Sequence, residues 1–336
     1  MTVFHQASIR EALTLSGHYY TAPEIFDRET RHIFYSHWLC VGRSEQLAEA
    51  GDYFLAQVCE QNLIIVRDAQ GAAHAFFNLC PRCGTPLLSS LQGHLGETIG
   101  CAKHGWKYSL EGQLRSHRSQ NAAAEKTALF SAALSEWEGF LWVNLAPNPA
   151  PFAPTFSPLL GQFGSSRLTG LRVGEQLTFD LQANWKLIFQ AYCDRYHHSQ
   201  TAQRSPSLSQ GAFLGASQPL DRDFHSSMLW GEGDRAYHYS LFPTMLLSLY
   251  PNAAIALRLY PQAADQTRIV CEWLFDRPAN RLDRVAIEAW QFNHRQAWLR
   301  CEQMQRTMHT AHSAPFKATT AFDREYLRVL GDALLR

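Results

Sequence analysis

The sequence lacks a charge excess, a long apolar run and any phosphate-binding motif. Its 30 lysines and arginines balance 30 aspartates and glutamates, so no basic surplus favours nucleic acid or a membrane surface as a partner. No segment approaches the roughly 18 consecutive apolar residues that span a bilayer, and the first residues do not resemble a signal peptide. Neither Gly-x-Gly-x-x-Gly nor Gly-x4-Gly-Lys-Ser/Thr occurs. We therefore predict a cytoplasmic protein that binds neither nucleic acid nor membranes.

The sequence is instead rich in soft metal ligands, with 15 histidines and 8 cysteines. In the cytoplasm, cysteines serve more often as thiols or metal ligands than as disulfides. Two short segments hold paired ligands, Cys80-Pro-Arg-Cys83-Gly84 and Cys101-Ala-Lys-His104-Gly105. Two tight turns of this kind can place four donors at tetrahedral corners around one metal ion. Buried thiols without a metal are the alternative interpretation.

Hydrophobic patterns predict two domains after an N-terminal helical segment. Short alternating segments between residues 50 and 145 predict a small antiparallel β domain, and four prolines between residues 147 and 154 indicate a linker. A strand near 175–181, a helix beginning at Asn184, three strands between 237 and 276 and an amphipathic helix over 282–309 follow. This order predicts a curved sheet wrapped around helices. The predicted boundaries are 1–40 for the helical segment, which packs on the C-terminal domain, 41–148 for the β domain and 149–336 for the second domain.

The sequence resembles the α subunits of Rieske non-haem iron ring-hydroxylating oxygenases over nearly its whole length. The motifs that carry the resemblance are Trp38-Leu-Cys-Val-Gly42, Gly51-Asp-Tyr53, Phe77-Asn-Leu-Cys80, Cys101-x-x-His104-Gly-Trp106, Asn184-Trp-Lys186 and Cys301-Glu-x-x-Gln305. The resemblance implies an α+β protein. It has an N-terminal Rieske-like all-β domain with a rubredoxin-like metal subdomain, followed by a C-terminal helix-grip (START-like) α+β domain. It also implies a trimeric ring of subunits.

At the Rieske positions the sequence departs from this family. The family binds its [2Fe–2S] cluster through a Cys-x-His-Arg-Gly loop and a Cys-x-x-His loop. Arg82 occupies the first histidine position, where a guanidinium cannot bind iron, and Cys83 occupies the arginine position. We predict that Cys80, Cys83, Cys101 and His104 bind a structural Zn²⁺. A remodelled Cys3His [2Fe–2S] cluster and a site without metal remain alternatives.

The sequence also departs from the family at the positions that bind the mononuclear iron. The family uses Asp-x-x-His-x4-His and an acid on the C-terminal helix. Asp194 and His197 match, but Ala202 and Ala297 stand at the other two ligand positions. We therefore predict that mononuclear iron is absent and that the iron site is vestigial. Asp194 matches the acid that joins the metal sites of neighbouring subunits in the family, and a helix-surface charge is the alternative interpretation.

These joint changes lead to a hypothesis about function. The chain would be a catalytically degenerate subunit, inactive alone, with a structural or regulatory role in a trimeric or hexameric ring with an active homologous Rieske oxygenase subunit. A reductase or ferredoxin is a further expected partner. One alternative is an active Rieske-type oxygenase that hydroxylates or demethylates a small organic substrate through remodelled Cys3His [2Fe–2S] and iron sites. Another is a stand-alone binder that holds a ligand in the old substrate pocket.

Overall fold

A computed structural model describes most of the chain and begins with a helical segment. The described residues are 15–116, 128–159, 163, 168–197, 218–221, 224–230, 235–310 and 321–334. Helix α1 is His18–Thr21, and α2 is Pro23–Glu29, which continues as a π-helical turn over Thr30–Phe34. A proline suits the first position of α2 because its missing N–H would have no partner inside the helix.

The first sheet has seven antiparallel strands in the order β1-β10-β9-β4-β3-β2-β5. The strands of this half are β1 Leu39–Arg43, β2 Asp52–Val58, β3 Gln61–Arg67, β4 Ala73–Phe77, β5 Gln92–His94, β6 Thr98–Gly100, β7 Lys107–Ser109, β8 Leu114–Ser116, β9 Ser131–Trp137 and β10 Phe140–Asn144. Strands β6, β7 and β8 form a separate three-stranded sheet. The run Leu63–Val66 in β3 is fully buried on both faces, as expected for a central strand.

The second sheet also has seven antiparallel strands, in the order β11-β17-β16-β15-β14-β13-β12. Its strands are β11 Arg172–Leu181, β12 Gln218–Asp221, β13 Phe224–Trp230, β14 Arg235–Leu241, β15 Met245–Tyr250, β16 Ala253–Ala263 and β17 Gln266–Phe275. The helices of this half are α3 Phe152–Phe156, α4 Trp185–His197, α5 Arg281–Thr310 and α6 Ala321–Leu334. The sheet packs α4, α5 and α6 on one face, in a core shared with the helical segment.

The predicted α+β class is confirmed, with an all-β N-terminal domain and a C-terminal domain in which a sheet packs against a long helix. In the second half, Trp273 of β17 stacks edge-on against Trp290 of α5, at 5.2 Å between ring centroids. The numerical boundaries at residues 40 and 148 stay predictions. Within the part of the chain that the structure describes, we find no helix with the length and apolar character to cross a membrane.

A buried ion pair fixes helix α4 against the helical segment. Glu29 at the end of α2 contacts Nζ of Lys186, and both side chains are fully buried. The same carboxylate accepts hydrogen bonds from Nε1 of Trp185 at 2.8 Å and from the Tyr326 hydroxyl at 2.6 Å. Burial lowers the pKa of Lys186, while the Glu29 carboxylate opposes that shift. Because α4 carries Asp194 and His197, this pair sets where the family's iron motif lies.

A buried aspartate stabilises the turn between β3 and β4. Burial acts to raise the pKa of Asp68, but hydrogen bonds from His74 and from the Ala72 and Gln70 amides lower it below the ordinary value. Asp68→Asn should reduce the free energy of unfolding by about 1–3 kcal/mol at pH 7. A carboxylate whose pKa is lower in the folded state than in the unfolded state stabilises the fold at pH values above its unfolded-state pKa. The difference in unfolding free energy between wild type and Asp68→Asn should therefore shrink as the pH falls below about 4. Urea unfolding at pH 7 and pH 3 tests this, and a difference independent of pH would contradict it.

Candidate functional site

Two turns of the same geometry form the candidate metal centre at the end of the small sheet. In the turn that follows β4, the Gly84 amide donates to the Cys80 carbonyl at 2.8 Å. In the turn that follows β6, the Gly105 amide donates to the Cys101 carbonyl at the same distance. The two glycines have φ angles of +66° and +67°, in the left-handed region that glycine adopts without strain. The two turns therefore have the same backbone geometry.

The structure brings the three predicted cysteine ligands together. The Sγ atoms of Cys80, Cys83 and Cys101 all lie within 4.8 Å of one another, and those of Cys83 and Cys101 are 3.7 Å apart. All three are free thiols. Cys80 and Cys101 are buried in a small apolar core with Ile99 and Tyr108. Three soft donors at this spacing can bind one transition-metal ion.

The fourth predicted ligand, His104, does not belong to the group of ligand atoms that lie within 4.8 Å of one another, but it has a nitrogen without a hydrogen-bond partner in the part of the chain that the structure describes. Its Nδ1 is buried and has no hydrogen-bond partner among the described residues. A buried polar atom without a partner is costly and needs an explanation. A metal ion supplies one, because a neutral imidazole nitrogen binds metals through the lone pair that would otherwise accept a hydrogen bond.

Neighbouring hydroxyl groups tune the thiols. The Thr85 hydroxyl lies 3.0 Å from the Cys83 sulfur and lowers the pKa of Cys83 to about 6, which favours the thiolate that binds metals. Burial raises the pKa of Cys80, whose sulfur is 3.8 Å from the Tyr108 hydroxyl. Sequence reasoning missed Thr85 as a functional residue. Its position two residues after a predicted ligand is the one signal that could have found it.

These donors do not fit the pattern in which the family binds its two-iron cluster. That pattern needs a histidine at position 82, but the Arg82 guanidinium lies over the Trp106 ring at 5.1 Å from its centroid and has no lone pair for iron. The donor that replaces this histidine is Cys83, one residue further along. The centre thus keeps two donors in each turn, but the second donor of the first turn is a cysteine instead of a histidine and comes one residue later.

The positions matched to the mononuclear iron of the catalytic half offer fewer metal-binding side chains than the cysteine centre does. Asp194 and His197 lie in the last turns of α4, whereas Ala202 lies outside the described residues. Ala297 lies on α5 and offers only a methyl group. In the described ranges, the cysteine centre is the single cluster of His, Cys, Asp or Glu ligands close enough to hold a metal. The described residues therefore do not complete the family's iron triad.

A buried polar chain connects α4 to the sheet through Tyr192, two residues before Asp194. The Tyr192 hydroxyl donates to the Leu247 carbonyl at 3.0 Å and lies 2.9 Å from the Ser248 hydroxyl. The Ser248 hydroxyl is in turn 2.7 Å from Nδ1 of His238, on the neighbouring strand β14. The chain orients the His238 ring and holds α4 at a fixed distance from the sheet. Sequence reasoning missed it because its members are far apart in the sequence.

Both halves of the chain match models of known families. A model described as Rieske [2Fe-2S] domain matches residues 37–131. A model described as ring hydroxylating alpha subunit (catalytic domain) matches residues 225–330. The metal centre lies in the first of these regions, and strands β13 to β17 with helix α5 lie in the second.

The chain is similar to oxygenase subunits of known monooxygenases. The carnitine monooxygenase oxygenase subunit of Escherichia coli is 28% identical over 283 residues, which cover 77% of this chain and 73% of that protein. The glycine betaine monooxygenase oxygenase subunit of Chromohalobacter salexigens is 29% identical over 182 residues, which cover 53% and 41%. The crystal structure of the quaternary ammonium Rieske monooxygenase CntA with L-carnitine has a TM-score of 0.80 at 21% identity, covering 98% and 97%. The latter likeness shows a shared fold.

These comparisons contradict the hypothesis of a catalytically degenerate subunit. The similar proteins are named as monooxygenases, and CntA structures contain the substrates L-carnitine and γ-butyrobetaine. The hypothesis inferred loss of function from substitutions at positions matched to the family's metal ligands, and the similarity to named monooxygenases overturns that inference. Of the predicted cofactors, the match to the Rieske [2Fe-2S] domain model supports the alternative, a [2Fe–2S] cluster. Neither the family models nor the relatives support the predicted Zn²⁺ or the predicted absence of iron.

Proposed function

Because this chain belongs to the family of Rieske non-haem iron oxygenase α subunits, we propose that it is a working oxygenase subunit that hydroxylates or demethylates a small organic substrate. The observation that carries this proposal is the length of the similarity to a named monooxygenase, which covers 77% of the chain. The two family matches support it, since one falls on the Rieske half and the other on the catalytic half.

We infer that the substrate is a small quaternary ammonium compound. Similar proteins are named for carnitine, glycine betaine and choline, and each of these carries a trimethylammonium group. In this chain, the rings of Tyr192 and Tyr250 each lie 6.3 Å from the His238 ring, next to helix α4. Aromatic rings attract quaternary ammonium groups through cation–π interactions. We propose that the trimethylammonium group of the substrate binds near this cluster, of which Tyr250 is the partly exposed member.

The contribution of the described residues is to position the site. The Tyr192–Ser248–His238 chain holds α4 against the sheet, and the Glu29–Lys186 pair anchors the beginning of the same helix. These two contacts support the helix on which Asp194 and His197 lie. Rigid support of this kind is what a site needs to hold a substrate in one orientation.

We further infer that the chain assembles as a ring, trimeric or hexameric, and receives electrons from a reductase or ferredoxin in the cytoplasm. The structure of one similar quaternary ammonium monooxygenase is described in terms of inter-subunit electron transfer. Asp194 matches the acid that joins neighbouring subunits in the family, and we propose the same role for it here. Mass photometry of the purified chain tests the ring, and a monomer would contradict it.

Turnover of quaternary ammonium compounds tests the proposed function. The purified full chain, supplied with Fe(II) and a reductase, should consume O₂ when carnitine, γ-butyrobetaine, glycine betaine or choline is added, and mass spectrometry should detect the oxidised or demethylated product. The matched control is 3,3-dimethylbutanol, a neutral carbon analogue of choline, which should not be turned over. No substrate-dependent O₂ consumption with any of the four compounds would contradict the proposal.

Two adjacent histidines offer a matched pair of variants for the same assay. Three positions match the family's iron ligands, and only His197 among them has a side chain that can bind a metal, because the other two are Ala202 and Ala297. His197→Ala should reduce iron content and lower turnover by about 100-fold or more, because loss of a direct ligand exceeds the effect of losing its supporting partner. His198→Ala should retain both, because His198 matches none of the family's iron-ligand positions. Equal iron content in the two variants would contradict the assignment of His197.

A further inference from the structure

The two turns of the metal centre are copies of one local structure. Each has the pattern ligand-x-x-ligand-Gly, and each closes with a glycine amide that donates to the first cysteine carbonyl at 2.8 Å. The φ angles of Gly84 and Gly105 differ by one degree. In the family's first loop the second ligand comes two residues after the cysteine, whereas here Cys83 comes three residues after Cys80. The first turn has thus acquired the spacing of the second.

The sulfur positions converge on one point. A tetrahedral ion with bonds of about 2.3 Å to sulfur has ligand–ligand edges of about 3.8 Å. The Cys83–Cys101 distance is 3.7 Å, and Cys80 lies within 4.8 Å of both. In a Rieske cluster the two cysteines bind one iron and the other two donors bind a second iron, beyond the bridging sulfides. Cys83 instead lies beside the two cysteines that match the family's pair.

The remaining donors agree with a single ion. His104 contributes a buried Nδ1 that has no hydrogen-bond partner among the described residues. Arg82, at the position of the missing histidine, is engaged with the Trp106 ring. The three sulfurs lie close together, and the His104 imidazole would supply the fourth donor of a tetrahedral set. A second iron would lack the histidine that the family places at position 82.

We propose that Cys80, Cys83, Cys101 and His104 bind one tetrahedral metal ion, iron or zinc, in place of a [2Fe–2S] cluster. A single iron would be a one-electron carrier and compatible with the proposed oxygenase. Zinc has no redox chemistry, so it would make the centre structural. The inference rests on the geometry of the centre and not on the proposed function.

Acid-labile sulfide and metal content of the purified full chain test the proposal. We expect no labile sulfide, and one iron or zinc per chain more in the wild type than in Cys101→Ser, which loses a ligand. Iron bound in the catalytic half is present in both proteins, so it cancels when the two metal contents are subtracted. Co(II) added to the metal-free protein should give the visible bands of a tetrahedral thiolate site. Two labile sulfides per chain would overturn the proposal, and so would the absence of any metal difference between the two proteins.

A loop exchange supplies the matched variant. Arg82→His with Cys83→Arg restores the family's Cys-x-His-Arg-Gly loop and should raise labile sulfide from none to two per chain. The control Arg82→Ala keeps all four donors and should bind one ion as the wild type does. The proposal would be overturned if the wild-type protein already contained two labile sulfides per chain, as the exchanged variant is expected to. Because these readouts do not involve turnover, an inactive protein with one metal ion would contradict the proposed function and leave the metal assignment intact.

Discussion

Removal of the Glu29 carboxylate is expected to reduce the free energy of unfolding by about 3–5 kcal/mol. Glu29→Ala leaves the Lys186 ammonium fully buried without a counter-charge, and it deprives Trp185 and Tyr326 of a hydrogen-bond acceptor. Desolvation of a single unpaired charge costs several kcal/mol and is not recovered elsewhere in the folded state. Urea unfolding, followed by tryptophan fluorescence, measures the loss.

Two further variants make this prediction specific. Asp180 pairs with Arg268 on the protein surface, at 2.7 Å between Oδ1 and Nε. Asp180→Ala removes a carboxylate of the same kind but should cost about 1 kcal/mol or less, because water stabilises the remaining charge. Glu29→Ala with Lys186→Met should recover most of the loss, since no charge stays buried. Equal destabilisation by Glu29→Ala and Asp180→Ala would show that burial of the pair does not determine its energy.

Removal of a metal ligand is expected to have an effect of similar size. Cys101→Ser should release the bound metal and destabilise the N-terminal domain by about 4 kcal/mol or more, because metal binding contributes directly to folding when the unfolded chain has no preformed site. Cys101 is buried in the small apolar core of the centre, which offers few other contacts to compensate. Thermal melting and elemental analysis of the same preparation measure both effects.

A second thiol of the same half provides the control. Cys59 is half-buried after strand β2, and its sulfur lies 3.7 Å from the Thr30 hydroxyl, away from the metal centre. Cys59→Ser makes the same chemical change without removing a ligand and should keep both the metal and most of the stability. Unchanged melting of Cys101→Ser would indicate that the thiols are not bound to a metal that stabilises the fold.

Much of the fold could be predicted because its signals are local. The apolar run Leu63–Val66 and the Asp68–Gly71 turn identify strands β3 and β4 without any knowledge of the remaining chain. Strand β13 and helix α6 were missed. The segment Phe224–Trp230 contains His225, Ser226 and Ser227 in succession, so no alternation of apolar and polar residues marks it as a strand. Pairing with β14 places it in the sheet, and that contact is not local.

The sequence by itself determined which donors exist, which family the chain resembles and where it departs from that family. Arg82, Cys83 and Ala297 are visible in the sequence because ligand chemistry depends on residue type. Their consequence for function was judged wrongly, because the proteins that resemble this chain are named as monooxygenases.

Only the tertiary structure decided which distant residues meet. Cys83 lies 3.7 Å from Cys101, 18 residues away, and Glu29 contacts Lys186, 157 residues away. No local pattern specifies such contacts, because they result from packing of separate elements around a common core. The convergence of the donors and the anchoring of α4 are therefore properties of the folded chain.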